Sequence, residues 1–415
     1  MSARRPRIGL FGLLGSGNIG NDASVEAIMR YLRAEYPDAT IDAMCKGWTR
    51  MRDRYGIETT PLQWQQEHVR PGWPGKALAA VGKVIDVFRT AAWVRGHDVV
   101  IIPGMGILDP TLPLSPWSTP YAVYLLATAG RLFGARIALV AVGADKASAK
   151  MTQALYNKTA RVAAYVSFRD EGSRETLHGE GVDVSAFSVH PDLVWTLPVP
   201  REQPGPPAPP RPPEDPKLVA VGVMAYYGGQ ADRGRTAEVY AAYTESVADF
   251  TRWLLDTGHD VRLFYGDEVD QPALEKILAD VRSARPGLAP ERLIPYYPTS
   301  YEEVTELLGP VGAVVATRLH NLMFALKLGK PTIALSYARK IDAMMADLGL
   351  GEYCLTAGSI DAEALKALFT DVELRREEIC REVGKVAAEC SKAARAQLTE
   401  LSEVLFSGFC LPTTA

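Results

Sequence analysis

Apolar residues along this chain alternate between two spacings. Short β-rich apolar runs predict strands near 7–12, 39–44, 98–102, 136–142, 163–168 and 185–189. Between them, apolar positions recurring every three or four residues predict helices near 23–35, 76–94, 117–132, 149–161 and 171–179. The same alternation resumes with strands near 218–225, 260–265, 292–295, 312–316 and 332–336 and helices near 236–256, 271–283, 301–308, 319–328 and 339–347. Strand–helix–strand repetition with parallel crossovers predicts an α/β fold of two doubly wound, Rossmann-like domains facing a cleft. The remainder, from Asp361 to Phe406, reads as almost continuous helix.

Composition adds a boundary. Of 29 prolines, ten fall in the nineteen residues Pro198–Pro216, a semi-rigid polyproline-like tether. The expected organisation is an N-terminal Rossmann-like domain over 1–197 and the Pro-rich linker over 198–216. A C-terminal Rossmann-like domain over 217–360 and a helical segment over 361–415 complete it. With 45 basic and 49 acidic residues the chain is not a strongly basic nucleic-acid binder. Five cysteines with no C-x-x-C pair suit reduced thiols and a cytoplasmic location, with no metal site. No stretch reaches the roughly 20 apolar residues of a membrane span. Pro74–Arg95 is amphipathic and carries Lys76, Lys83, Arg89 and Arg95, which leaves room for peripheral membrane contact, although a helix packed on a sheet is the commoner reason for such a pattern.

In doubly wound sheets ligands sit beyond the carboxyl ends of the strands, so strand-to-helix loops are the place to look for chemistry. The first, Gly15-Ser-Gly-Asn-Ile-Gly20, has the G-x-G-x-x-G spacing, and Asp42 stands where a ribose-binding acid would. Asp22 at the helix start would repel a pyrophosphate, so a neutral polyhydroxyl ligand or a plain capped turn fits better. The most informative segment is Val311–Lys340. A strand enters a helix at Thr317, the expected N-cap, which puts Arg318 and His320 in the first turn. The next strand ends at Tyr337 and Lys340 on the same rim, giving an anion-sized convergence of Arg, His and Lys.

R-L-H-x-x-x-x-A followed by G-K-P-x-I-x-L-x-Y-x-x-K resembles the C-terminal signature of the polysaccharide pyruvyl transferases. The resemblance extends to Gly17-Asn18-Ile19-Gly20-Asn21-Asp22-Ala23, to Ser167-Phe-Arg169-Asp170-Glu-Gly-Ser173, to Pro191-Asp192-Leu193 and to Tyr297-Pro298-Thr299-Ser300. Two departures are an extra Asn21 and Pro103-Gly104-Met105-Gly106 in place of a triple glycine. The resemblance implies a cell-envelope enzyme that moves the carboxyethylidene group of phosphoenolpyruvate onto a sugar or lipid-linked saccharide, forming a ketal and releasing phosphate. Phosphoenolpyruvate is then a co-substrate and no cofactor is needed.

On that reading Arg318, Thr317, Arg169, Lys340 and Tyr337 hold the donor and His320 is the acid. Gly17, Asn18, Asp22, Gly104 and Gly106 lie on the acceptor side. Asp109 is the candidate base, or a turn carboxylate before Pro110. Tyr226 and Tyr227 either stack on a sugar or edge the core. Two rival readings remain: a GT-B glycosyltransferase with a nucleotide-sugar donor, and a non-catalytic ligand-binding homologue.

Overall fold

The computed structural model describes residues 5–67, 72–108, 115–147, 149–199, 215–229, 232, 234–407 and 409. Most of the proline-rich linker, and Asp109, lie outside these residues. Two units cluster by contact: residues 1–16, 21–196 and 392–415 form one, and residues 17–20 and 197–391 the other.

The first unit is built on strands β1 (Arg7–Gly12), β2 (Thr40–Cys45), β3 (Glu58–Pro61), β4 (Val99–Pro103), β5 (Arg136–Val142), β6 (Tyr165–Phe168) and β7 (Ser188–Val189). Its helices are α1 (Ile19–Glu35), α2 (Trp48–Tyr55), α3 (Gly72–Arg95), α4 (Thr119–Phe133), α5 (Lys150–Val162) and α6 (Glu171–Gly179). The strands are parallel in the order β3-β2-β1-β4-β5-β6-β7. The central strands are buried along nearly their whole length, which is why they read as unbroken Val/Ile/Leu runs.

The second unit has β8 (Asp215–Val223), β9 (Asp260–Tyr265), β10 (Leu293–Tyr296), β11 (Val311–Ala316), β12 (Thr332–Ser336) and β13 (Cys354–Thr356). Its helices are α7 (Thr236–Asp256), α8 (Gln271–Ala284), α9 (Tyr301–Leu308), α10 (Leu319–Lys327), α11 (Arg339–Asp347) and α12 (Ala362–Leu374). The parallel order is β10-β9-β8-β11-β12-β13. Chain direction across the sheet reverses between β8 and β11, so loops beyond those strands open a crevice at the sheet's switch point.

The fold is that of two Rossmann-like domains with a helical C-terminal segment. Helix α2 and strands β3 and β13 go beyond the elements that hydrophobic spacing predicts. α2 reads as charge-rich (WTRMRDRY), and the two strands are only four and three residues long. The helical stretch after Asp361 is divided between the units, because α13 (Arg376–Leu405) changes unit after Ser391. Its last turns are stitched to the first unit: Gln397 Nε2 donates to Ser167 Oγ at 2.6 Å, and Glu400 accepts from Ser188 and pairs with His190.

Candidate functional site

In the second unit the β11–α10 junction carries the R-L-H motif. Thr317 is not the cap of α10 that the sequence predicts. It is wholly buried, and its hydroxyl meets the Tyr243 hydroxyl at 2.7 Å, so it locks the junction onto α7. Arg318 occupies the N-cap position instead, with extended backbone (φ −72°, ψ 131°) and no side-chain cap. The Arg318 side chain therefore makes no capping hydrogen bond to the first-turn N–H groups of α10.

The Arg318 guanidinium is held by Asp270, with Nε to Oδ2 and Nη2 to Oδ1 both at 2.7 Å. Asp270 is fully buried and its Oδ1 also accepts from Ala225 N, just beyond β8, at 2.9 Å. One carboxylate thus ties together the loops after β8, β9 and β11, at the switch point. Burial works against the Arg318 charge, but the Asp270 hydrogen bonds and charge outweigh it and hold the guanidinium above its usual value. The fork uses Nε and Nη2 and leaves the Nη1 edge for another anion.

Gly17–Gly20 belongs to this same unit. Asn18 Nδ2 donates to Asp267 Oδ2 at 2.7 Å, Ile19 N donates to Gly266 O at 3.0 Å and Glu268 N donates to Gly17 O at 3.3 Å. Asp267 Oδ2 also lies 4.0 Å from Arg318 Nη2, so Asn18, Asp267, Arg318 and Asp270 form one polar chain. A Cβ on Gly20 would overlap the His320 imidazole, so only glycine permits this approach. Gly17 and Asn18, expected on the acceptor side, therefore lie with the Arg318 cluster.

Asn321 follows in the first turn of α10. It is fully buried between Gly222 and Gly266, and neither amide atom has a hydrogen-bond partner. Beyond β12, Lys340 Nζ lies 5.5 Å from the Tyr337 ring centroid. Lys330, in the G-K-P segment, is structural: its buried ammonium donates to Gly309 O at 2.6 Å and Val311 O at 2.9 Å, at the opposite end of β11. Tyr226 is a core edge against Tyr243, whereas Tyr227 is half exposed and stacked on Tyr240 with centroids 4.9 Å apart.

In the first unit Arg169 leaves the end of β6 nearly buried. Its Nη1 donates to Asp192 Oδ2 at 3.4 Å, and its Nε, 3.9 Å from Asp170 Oδ2, has no hydrogen-bond partner. The guanidinium lies so close over Gly143 that a Cβ there would sit 2.7 Å from Nη2. Asp170 is the N-cap of α6, accepting from Ser173 N at 2.7 Å. Asp192 also meets the Ser24 hydroxyl at 3.5 Å, and Ser24 packs where a Cβ on Gly104 would fall. Gly106 is partly exposed in the loop after β4. Asp22 accepts from Gly15 N at 2.8 Å, which closes the glycine turn.

The ribose role considered for Asp42 fails on geometry. Its two oxygens are taken by Trp93 Nε1 and His97 Nε2, each at 2.9 Å. Among the described residues no three His, Cys, Asp or Glu side chains come together closely enough to hold a metal ion. None of the described helices is long and apolar enough to cross a membrane.

The solved structures most like this chain include UDP-GlcNAc 2-epimerases. That of Neisseria meningitidis, bound to UDP-GlcNAc, is 11% identical, with TM-score 0.60 over 97% of this chain and 99% of the other. That of Methanocaldococcus jannaschii is 11% identical, with TM-score 0.57 over 88% and 92%. HepE of Anabaena, solved with UDP and glucose, is 12% identical, with TM-score 0.61 over 97% and 100%. At such identities the likeness is one of fold. Among curated proteins nothing matches. The family model for polysaccharide pyruvyl transferase, in contrast, matches residues 18–339, and that span takes in the last three residues of the glycine loop, Arg169, the Arg318–His320 turn and Tyr337. By that match the chain belongs to the polysaccharide pyruvyl transferase family.

Proposed function

We propose that this protein transfers the carboxyethylidene group of phosphoenolpyruvate onto two hydroxyls of a saccharide. The observation that carries the reading is the Arg318–His320 turn, presented at the switch point of the second sheet with Asp270 aiming the guanidinium. A dianionic phosphate suits the first-turn N–H groups of α10 and the Nη1 edge of Arg318. Lys340 is the cation of this unit assigned to the donor carboxylate. UDP or UDP-sugar in the neighbouring structures is consistent with a phosphate-bearing ligand in this fold but carries no weight for donor identity.

The chemistry balances without an external oxidant or reductant. A proton from His320 goes to the methylene carbon of the donor, converting CH₂ to CH₃ and leaving an electron-poor C2. One saccharide oxygen forms a bond to C2, the C2–O bond to phosphate breaks, and a second saccharide oxygen closes the ketal. Of the two hydroxyl protons, one replaces that given up by His320 and the other leaves with phosphate. A positioned acid of this kind is worth about 10²- to 10⁴-fold in rate. Asp109 remains the proposed base.

The test is phosphate release in the presence of phosphoenolpyruvate and a panel of saccharide acceptors, with the ketal methyl group followed by NMR. Release that requires both substrates supports the reading. Turnover of a nucleotide sugar with none from phosphoenolpyruvate sinks it in favour of a glycosyltransferase.

A further inference from the structure

Asn321 stands one residue past His320, in the first turn of α10. It is fully buried, yet neither Oδ1 nor Nδ2 has a hydrogen-bond partner. Two glycines at the carboxyl ends of neighbouring strands make the slot it occupies. A Cβ on Gly222, in β8, would lie 3.1 Å from Nδ2, and one on Gly266, just past β9, would lie 2.5 Å from Oδ1. The backbones of those glycines belong to the site: Gly222 O accepts from Thr317 N at 3.1 Å, and Gly266 O accepts from Ile19 N at 3.0 Å.

A buried donor and acceptor left unpaired are a net cost to folding, and a leucine of similar shape would fill the slot without it. Such a group in an otherwise well-paired interior points to a partner supplied from outside the chain. Helical side chains lean toward the helix N-terminus. From the third position of α10 the amide therefore leans toward the end where Arg318 sits and where an anion is favoured. Because the amide makes no hydrogen bond where it rests, turning it toward a ligand breaks none.

We propose that Asn321 is a specificity residue that recognises a protonated phosphate at the start of α10. Its amide presents a donor, Nδ2, beside an acceptor, Oδ1. A phosphate that carries a proton presents the complementary pair, an anionic oxygen to accept from Nδ2 and a P–OH to donate to Oδ1. Sulfate, or a phosphate ester that has lost its protons, presents acceptors alone and would set an oxygen against Oδ1. The part this plays in turnover rests on the reaction proposed above. There the phosphate that leaves takes one saccharide hydroxyl proton with it, so Asn321 favours the departing phosphate over the intact donor.

Calorimetric titration of the full chain with inorganic phosphate and with sulfate, at neutral pH, tests the proposal. Inorganic phosphate keeps a P–OH there and sulfate does not. The parent should bind phosphate about tenfold or more tighter than sulfate. Asn321→Leu should bring the two affinities within about twofold of each other and melt no lower than the parent, a combination that a merely structural amide would not give. Should the leucine variant unfold, Asn321→Ala removes the amide without adding volume and should lose the same selectivity. A parent that binds neither anion, or both alike, would overturn the proposal, as would a variant that keeps the parent's selectivity. Selectivity lost in the variants, with no turnover of phosphoenolpyruvate by the parent, would keep the role of Asn321 and reject the donor assigned above. Turnover of phosphoenolpyruvate by a parent that binds phosphate and sulfate alike would do the reverse.

Discussion

The Arg318–Asp270 pair invites a double-mutant cycle. Asp270→Ala leaves a guanidinium whose side chain is only 19% exposed without its counter-charge, and strips Ala225 N of its acceptor. Breaking a buried pair from one side costs about 3–5 kcal/mol, and an orphaned buried N–H costs about 1 kcal/mol more. Arg318→Ala should cost a similar amount, because it strands a fully buried carboxylate. In a unit of about 200 residues each kcal/mol moves the unfolding midpoint by about 2–4 °C, so Arg318→Ala should melt roughly 6–20 °C below the parent and Asp270→Ala roughly 8–24 °C below it. The double variant buries no unpaired charge and should be no less stable than the worse single, a coupling of at least about 2 kcal/mol. Calorimetry and urea titration of the four proteins measure it. Effects that add within about 0.5 kcal/mol would refute the claim that Asp270 holds Arg318. The same cycle has a kinetic readout: Asp270→Ala keeps the guanidinium but loses its aim, so KM for phosphoenolpyruvate should rise well before kcat falls.

Three further outcomes are expected. His320→Asn should lower kcat by about 10²- to 10⁴-fold while donor affinity, by calorimetric titration, stays near that of the parent; unchanged turnover would remove His320 from the chemistry. Gly20→Ala should push the imidazole aside and lower turnover by up to about 10²-fold with little change in melting, and a crystal structure would show the displaced ring. Burial, helped by the Asp22 charge, pushes the Cys45 thiol up to about 12. Native Cys45 should therefore resist iodoacetamide near neutral pH, as peptide mapping would show. The raised folded value means its contribution is fully present below the unfolded thiol's pKa. It is lost by about 1.4 kcal/mol per pH unit above that point, a slope that Cys45→Ala should abolish in alkaline denaturation.

Much of the molecule is legible in the order of its amino acids. Central strands declare themselves by unbroken apolar runs, and most boundaries fall within a few residues of their expected places because caps and glycines mark them locally. Ser300 caps α9 while Glu303 bonds back to Thr299 N, so the Tyr297–Ser300 motif is a capping signal as much as a family one. Helix α2 escapes such reading because its polarity imitates a loop, and β13 because three residues carry too little periodicity.

The sequence by itself determined the alternation of elements, hence two parallel sheets, and the motif residues that identify the family. Those properties are local, fixed by spacing of three to eight residues. Tertiary structure alone decided the partnerships. Asp270 lies 48 residues from Arg318, and Asn18 lies 249 from Asp267. No local pattern distinguishes a carboxylate that orients a guanidinium from one that faces water. The same holds for α3, where an amphipathic pattern is symmetric between inside and outside until the carbonyl of Pro61 and the N–H of Trp64 claim its charges. Which face of a helix is buried is set by what the rest of the chain brings to it, and that is where the site acquired its meaning.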